Sequence, residues 1–325
     1  MSHSAFFLSS RRRKMIFGAV MCIFLFIAFR FYTFNLDGDY LEWQKGLSAS
    51  EYPSDLVIAS FIPAPHQRGY GTRLLLNAHS KSPNSPLVNH QIMEHCSGNF
   101  DSALCDIPAI ETLLKIDVGN GYIYFKQAPF LFANGNTEAA LEALRQLGAA
   151  ERIDGLLWRY LNALDESQSR FGIERSSITF AGVFGLAILG SHSSLANFTN
   201  MCDSQIGIGD ADWLNACLDA SQAMMQRGRS EIIRSLGSTS LVRFSGGSDE
   251  EILNASRLVT EEMSELIRVR SSFTKDMTRK AILTIIFGMG KINDSQWQEY
   301  LEVWSEKGEI AAGIYFFGEL NSQLF

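Results

Sequence analysis

Residues 113–150 read LLKIDVGNGYIYFKQAPFLFANGNTEAALEALRQLGAA, and their reading decides the fold. Two helical patterns flank a short turn at Gly135-Asn136. In the first, Gly121–Ala133, the residues Tyr124, Ala128 and Leu131 recur at three- and four-residue spacing and so share a helical face. In the second, Thr137–Ala150, Ala140 and Leu144 do the same, with Ala140 the small residue where the two helices cross. Gly135 ends the first helix. Asn136-Thr137 ahead of Glu138 offers an oxygen acceptor and a negative charge to the exposed N–H groups of the second. Pro129 removes a backbone donor inside the first helix and predicts a kink. Gly-Tyr-Ile-Tyr-Phe at 121–125 is the best strand candidate of the chain, but its context is helical.

The same pattern extends outward. All seven prolines lie at or before Pro129, and strong helix formers recur through the remainder. Predicted helices are Pro108–Ile116, Ile153–Arg170, Ser176–Leu189, Asp210–Gln226, Glu231–Phe244, Asp249–Val269, Thr274–Gly288, Ser295–Ser305 and Ile310–Leu320. On the other side, Leu74, Leu75, Leu76 and Ala78 form an apolar face that ends at Ser82-Pro83-Asn84-Ser85-Pro86. Pro86 suits a first helical position, and Leu87, Val88, Ile92 and Met93 form the next face. Asn35–Leu56 reads as a short helix around Tyr40, Leu41 and Trp43 followed by a loop.

Ahead of this lies Arg11, Arg12, Arg13, Lys14, then an apolar run from Met15 to Phe29, then Arg30 and an aromatic tail to Phe34. About 20 apolar residues cross a bilayer, and Arg30 sits where a long cation snorkels. The basic cluster keeps the N-terminus cytoplasmic and puts the chain beyond Phe34 outside. A cleaved signal peptide is the competing reading, but no small-x-small site follows the apolar core. The expected layout is a basic tail at 1–14, a transmembrane anchor at 15–34, a membrane-proximal segment at 35–65 and a helical external domain at 66–325. Ser177–Gly190 is apolar all round but short for a second span, so it reads as a buried helix, as does Ala281–Met289.

The first 34 residues hold five of the 28 Lys/Arg and none of the 35 Asp/Glu. The remainder is left with 23 basic and 35 acidic residues, a net charge of −12. That argues against sequence-independent nucleic-acid binding. Of five cysteines, Cys22 lies in the anchor. Cys96, Cys105, Cys202 and Cys217 fall on the external side, where an even number reads as two disulfides. Three pairings are possible; Cys96–Cys105 and Cys202–Cys217 are favoured because each brackets a short polar loop. Four unpaired buried thiols are the alternative.

The packing positions Tyr124, Ala128, Leu131, Ala140 and Leu144 make residues 113–150 resemble a tetratricopeptide-type helix pair. Pro129 and the missing closing proline, near which Arg152 stands, depart from that pattern. His66–His95 and Asp294–Leu320 resemble degenerate pairs of the same kind. The layout is also similar to a group of bacterial membrane-anchored helical proteins with no assigned activity, through Ala78–Cys96 and Cys202–Gly228. These resemblances imply stacked helix pairs of the α-solenoid type, a periplasmic domain and a partner groove along Tyr122, Tyr124, Ala128, Leu131, Ala140 and Leu144.

Chemistry is sparse. His90, His95, Cys96 and Cys105 are the densest group of metal-ligand types, but their spacing matches no common zinc pattern. Asp210-Ala-Asp212 is a DxD, which glycosyltransferases use for a metal-nucleotide; here it opens a helix, where an acidic cap is the simpler role. Three sequons, at Asn197, Asn254 and Asn293, matter only in a eukaryotic lumen. No nucleophile elbow, P-loop, dinucleotide fingerprint or zincin motif occurs. No catalytic, metal or cofactor residue is assigned. The expectation is a single-pass inner-membrane protein with a mainly α-helical periplasmic domain that binds another envelope protein. A membrane-anchored enzyme and a structural envelope component are the alternatives.

Overall fold

The structure, a computed structural model, describes residues 38–61, 69–98, 103–155, 157–172, 196–259, 294–308, 311–312 and 315. The chain is mainly helical there. The helices are α1 (Gly38–Ser48), α2 (Pro53–Phe61), α3 (Tyr70–Lys81), α4 (Pro86–Gly98), α5 (Ala109–Ile116), α6 (Gly121–Ala133), α7 (Thr137–Ala149) and α8 (Leu157–Arg170). They continue as α9 (196–207), α10 (Ala211–Arg227), α11 (Glu231–Phe244), α12 (249–259) and α13 (Asp294–Lys307), with a 3-10 turn at Ala103–Asp106. The anchor at 15–34, the apolar helices expected at Ser177–Gly190 and Ala281–Met289, and most of Ile310–Leu320 lie outside the described residues. Among the described residues, no helix is long and apolar enough to cross a membrane.

Local chemistry sets the boundaries. Asn120 caps α6 by accepting from the Tyr122 amide at 3.1 Å, and Asn136 caps α7 through the Ala139 amide at 3.3 Å. Ser230 does the same for α11 through Ile233 at 3.2 Å. Gly135, at φ 77°, ends α6 in the left-handed region that glycine enters without strain. Pro129 is accommodated within α6, where it is buried.

Burial divides the helices into two hydrophobic cores. The first gathers α1, α2, α3, α8 and α13 around Trp43, Leu56, Ile58, Leu75, Leu161 and Trp297. The second gathers α6, α7, α9, α10 and α11 around Phe125, Ala128, Leu144, Phe198, Trp213 and Ala220. Helix α4 belongs to both. Its four-residue row Val88, Ile92 and Cys96 faces the first core, while Met93 faces the second.

In the second core, α6 packs on α7, α7 on α10 and α10 on α11. Two glycines permit the close approaches. A Cβ on Gly121 would meet Ala150 Cβ at 2.7 Å and Ile153 Cγ1 at 2.9 Å. A Cβ on Gly237 would meet backbone atoms of α10, Met225 N at 2.4 Å and Ser221 O at 2.6 Å.

The expected helix Ile153–Arg170 is corrected at its start, which falls at Leu157. Arg152 and Ile153 are extended and pair with backbone on either side, in bridges Asn120↔Arg152 and Ile153↔Gly228. Gly121 N donates to Arg152 O at 2.8 Å, and Arg229 N donates to Ile153 O at 2.9 Å. Ile153 enters the second core, so its apolar character matches that of a buried helical residue. Leu76 is likewise corrected: it is exposed, while Leu74, Leu75 and Ala78 of the same helix are buried. An apolar run of three consecutive residues spans too wide an arc for one helical face.

Both favoured disulfides are present. Cys96–Cys105 ties α4 to the 3-10 turn with a Cα separation of 5.4 Å, and Cys202–Cys217 ties α9 to α10 at 6.1 Å. In the first core, Arg170 of α8 pairs with buried Asp55 of α2, which also accepts from Ser50 Oγ at 2.6 Å. Trp43 Nε1 donates to Ser167 Oγ at 3.3 Å, tying α1 to α8.

Asn120 is fully buried and makes four side-chain hydrogen bonds: to the Tyr122 amide, the Asp154 amide and carbonyl, and Asp117. Asn120→Ala removes an N-cap and strands the Asp154 amide, and should cost about 3 kcal/mol with helix content retained. Urea unfolding followed by circular dichroism measures this; a loss under about 0.5 kcal/mol, the range of inert surface changes, contradicts the assignment.

Candidate functional site

A polar layer lies where the two cores meet. Glu94 of α4 stands at its centre, with its side chain only 12% exposed. Its Oε1 accepts from Tyr122 Oη at 2.6 Å, and its Oε2 accepts from Lys126 Nζ at 2.7 Å, both from α6. Tyr122 and Lys126 are four residues apart and so project side by side from one helix face. Lys126 is fully buried, and its Nζ also lies 4.9 Å from the Tyr122 ring centre.

One turn before Glu94, His90 is buried and bridges to the other core. Its Nδ1 is 2.7 Å from Tyr160 Oη of α8, and that hydroxyl donates to Gln91 Oε1 at 2.8 Å. A hydroxyl has one proton, so a Tyr160 that donates to Gln91 accepts from His90 Nδ1–H. His90 Nε2 then carries the lone pair, 3.7 Å from Glu94 Oε1 and without a hydrogen-bond partner. The imidazole stacks on Tyr122 at 5.7 Å between ring centres.

A second group continues the layer. Arg152 pairs with buried Asp117, Asn120 joins Asp117 at 3.0 Å, and Arg229 approaches Asp154 Oδ2 at 3.7 Å while donating to Ser305 O at 3.3 Å. These contacts link α6, the extended 151–154 segment, the turn after α10 and α13.

Protonation is set by these surroundings. Burial pushes the Glu94 carboxyl up, but Lys126, His90 and the hydrogen bonds from Lys126 and Tyr122 together outweigh it and hold it below the usual range. Burial, reinforced by Glu94, raises Tyr122 well above the usual phenol value, and burial does the same to Tyr160. Burial lowers Lys126 against the opposing pull of Glu94. Burial also lowers His90 to about 4, with Glu94 opposing and Lys126 and Arg159 assisting. At neutral pH the histidine is therefore neutral, the tyrosines are protonated and Glu94 is ionised with both oxygens engaged. The array joins α4 to α6 and α8.

The structure also contains an open cleft. It lies between α4, the 3-10 turn, residues 107–111 and α6, with a volume of about 160 Å³. Ile107, Ile110, Phe130 and Leu131 give it an apolar wall, Asp106, Glu111 and Gln127 give it a polar share of about equal size, and the Cys96–Cys105 disulfide closes one side.

The sequence-derived groove needs correction. Tyr122, Ala128, Ala140 and Leu144 are buried in the second core, and Tyr124 and Leu131 are partly buried against it. They occupy the interface between helices, so their packing role leaves four of the six no surface for a partner. Leu131 alone of these residues lines the cleft. Cys96 and Cys105 are consumed by a disulfide, and among the described residues no group of three His, Cys, Asp or Glu side chains is placed to hold a metal. Asp210 Oδ1 accepts from the amides of Asp212 at 3.0 Å and Trp213 at 3.2 Å, so the DxD begins with a helix cap. The topology residues Arg11, Arg12, Arg13 and Lys14 lie outside the described residues.

Sequence reasoning missed Glu94, Lys126, Tyr160, Asp117, Asn120 and Asp154. One signal was available: Lys126 is the sole charge in the apolar helix Gly121–Ala133, and His90 and Glu94 share a helix face four residues apart. Comparison of the chain with protein-family models, curated proteins and solved structures finds no match.

Lys126→Met leaves Glu94 enclosed without its cation and should cost about 3–5 kcal/mol at neutral pH. The stranded carboxyl then titrates higher, so the deficit relative to the native chain should shrink as pH falls; a pH-independent deficit contradicts the pairing. The His90 contribution has the opposite dependence. Its folded pKa, about 4, lies below the ordinary 6.5, so acid charges the unfolded chain first. Stability should fall as pH drops from 6.5 toward 4, and His90→Gln should flatten that slope in urea titrations. An unchanged slope contradicts a neutral buried imidazole.

Proposed function

We propose that the chain is a membrane-anchored, tetratricopeptide-like module that binds another protein of the cell envelope, with its helical domain in the periplasm. The single observation behind this reading is where the polar groups go. The side chains best suited to acid–base chemistry, Glu94, His90, Lys126, Tyr122 and Tyr160, are locked together between the cores. Among the described residues the helices also leave a cleft of mixed apolar and polar lining beside Cys96–Cys105. Stacked helix pairs present such extended surfaces, and a cleft with fixed walls suits a protein segment. The compartment is supported by two disulfides that close short loops, since such bonds persist in oxidising surroundings. The anchor and its orientation rest on the apolar run and the basic cluster before it.

Crosslinking in intact cells, affinity capture of the tagged chain and mass spectrometry test the reading. The expected result is a reproducible envelope protein; recovery of the chain alone contradicts it. The compartment is tested by treating intact and lysed cells carrying an exposed reporter, Val118→Cys at a position 73% exposed, with a membrane-impermeant maleimide. The reporter should label in cells whose inner membrane is intact. Labelling that requires disruption of the inner membrane contradicts a periplasmic domain.

A further inference from the structure

The geometry points to the cleft as a recognition site for one apolar side chain flanked by a cationic residue, presented by a partner protein. This specifies the binding-module reading and rests on it. Size comes first: a cavity of about 150 Å³ holds one benzene-sized group, and this open cleft, whose lining is apolar and polar in about equal parts, measures about 160 Å³. Its accessible apolar surface comes from the half-buried Ile107, Ile110, Phe130 and Leu131, with Ile92 and Met93 of α4 buried beneath them. One wall is fixed, because the disulfide holds the 3-10 turn against α4. A preformed pocket loses little ordering entropy when filled.

The rim selects the neighbouring charge. Asp106 and Glu111 are exposed at the mouth, Gln127 is half-buried beside them, and among the described residues no Lys, Arg or His lines the cleft. Two carboxylates without a balancing cation in the lining favour a Lys or Arg next to the inserted side chain and oppose an acidic one. The excess of acidic residues beyond the first 34 positions acts in the same direction at longer range.

The test uses the full chain in nanodiscs, with Ile and Met methyl groups labelled for NMR. The probes are N-acetyl-Phe-Arg-amide and N-acetyl-Phe-Glu-amide. Saturable shifts are expected at Ile92, Met93, Ile107 and Ile110. The arginine probe should bind about three- to tenfold more tightly, the yield of one or two exposed ion pairs. Asp106→Asn with Glu111→Gln, both at exposed positions, should bring the two probes level, and Leu131→Trp should fill the cleft and abolish the shifts with the methyl spectrum otherwise native. Shifts confined to other regions, no saturable binding, or equal binding of the two probes by the native chain would overturn the site. A cellular partner crosslinking only to other faces would also overturn it and leave the binding-module reading standing. Probe binding at the cleft together with recovery of the chain alone from cells would support the site and remove that reading.

Discussion

The constraint on which the rest depends is the enclosed carboxylate of Glu94. A charge placed between two hydrophobic cores is costly unless its lone pairs are filled, and removal of one partner is costlier still. Lys126 and Tyr122 fill them from α6, while His90 on the same helix as Glu94 turns toward Tyr160 of the other core. Because α4 also sends Val88, Ile92 and Cys96 into one core and Met93 into the other, its rotation and height are fixed twice, by packing and by charge. Register is the property that buried polar groups can specify and interchangeable apolar contacts do not.

The 151–154 segment applies the same logic to the backbone. Between α7 and α8 the chain must cross the ends of α6 and α10, where helix termini leave amides and carbonyls without intrahelical partners. Extended residues there give and take hydrogen bonds on both sides. Arg227 completes the junction by donating to the carbonyls of Gly148 and Ala150, each at 2.5 Å, at the end of α7. The polar layer and this crossing meet at Asn120, which caps α6 and binds both Asp117 and Asp154.

Legibility in the sequence tracks the range of the interactions. The start of α7 at Thr137 could be read because its cap, Asn136, is the neighbouring residue, and the bounds Gly121–Ala133 and Glu231–Phe244 followed from local helical periodicity. The disulfides were legible because they close loops of sequence separation 9 and 15. The polar layer was not, since Glu94 meets Lys126 across 32 residues and His90 meets Tyr160 across 70. Ile153 was misread because a buried extended residue and a buried helical one share the same apolar character. The groove was misread for a related reason: periodic Tyr, Ala and Leu positions mark where helices touch each other, and a surface open to a partner has no such period. The cleft arises from a disulfide, a 3-10 turn and two helix faces, none of which announces a cavity alone.

Charged groups inside the molecule secure helix placement, and the open cleft beside Cys96–Cys105 is shaped by that placement. Native-state hydrogen exchange under increasing denaturant tests the claim that the polar layer joins the cores into one cooperative unit. If it does, the slowest amides of α2 and α8 and those of α6, α7 and α10 converge on one opening reaction with a single free energy. Two separate reactions, with one core exchanging while the other stays protected, would contradict it.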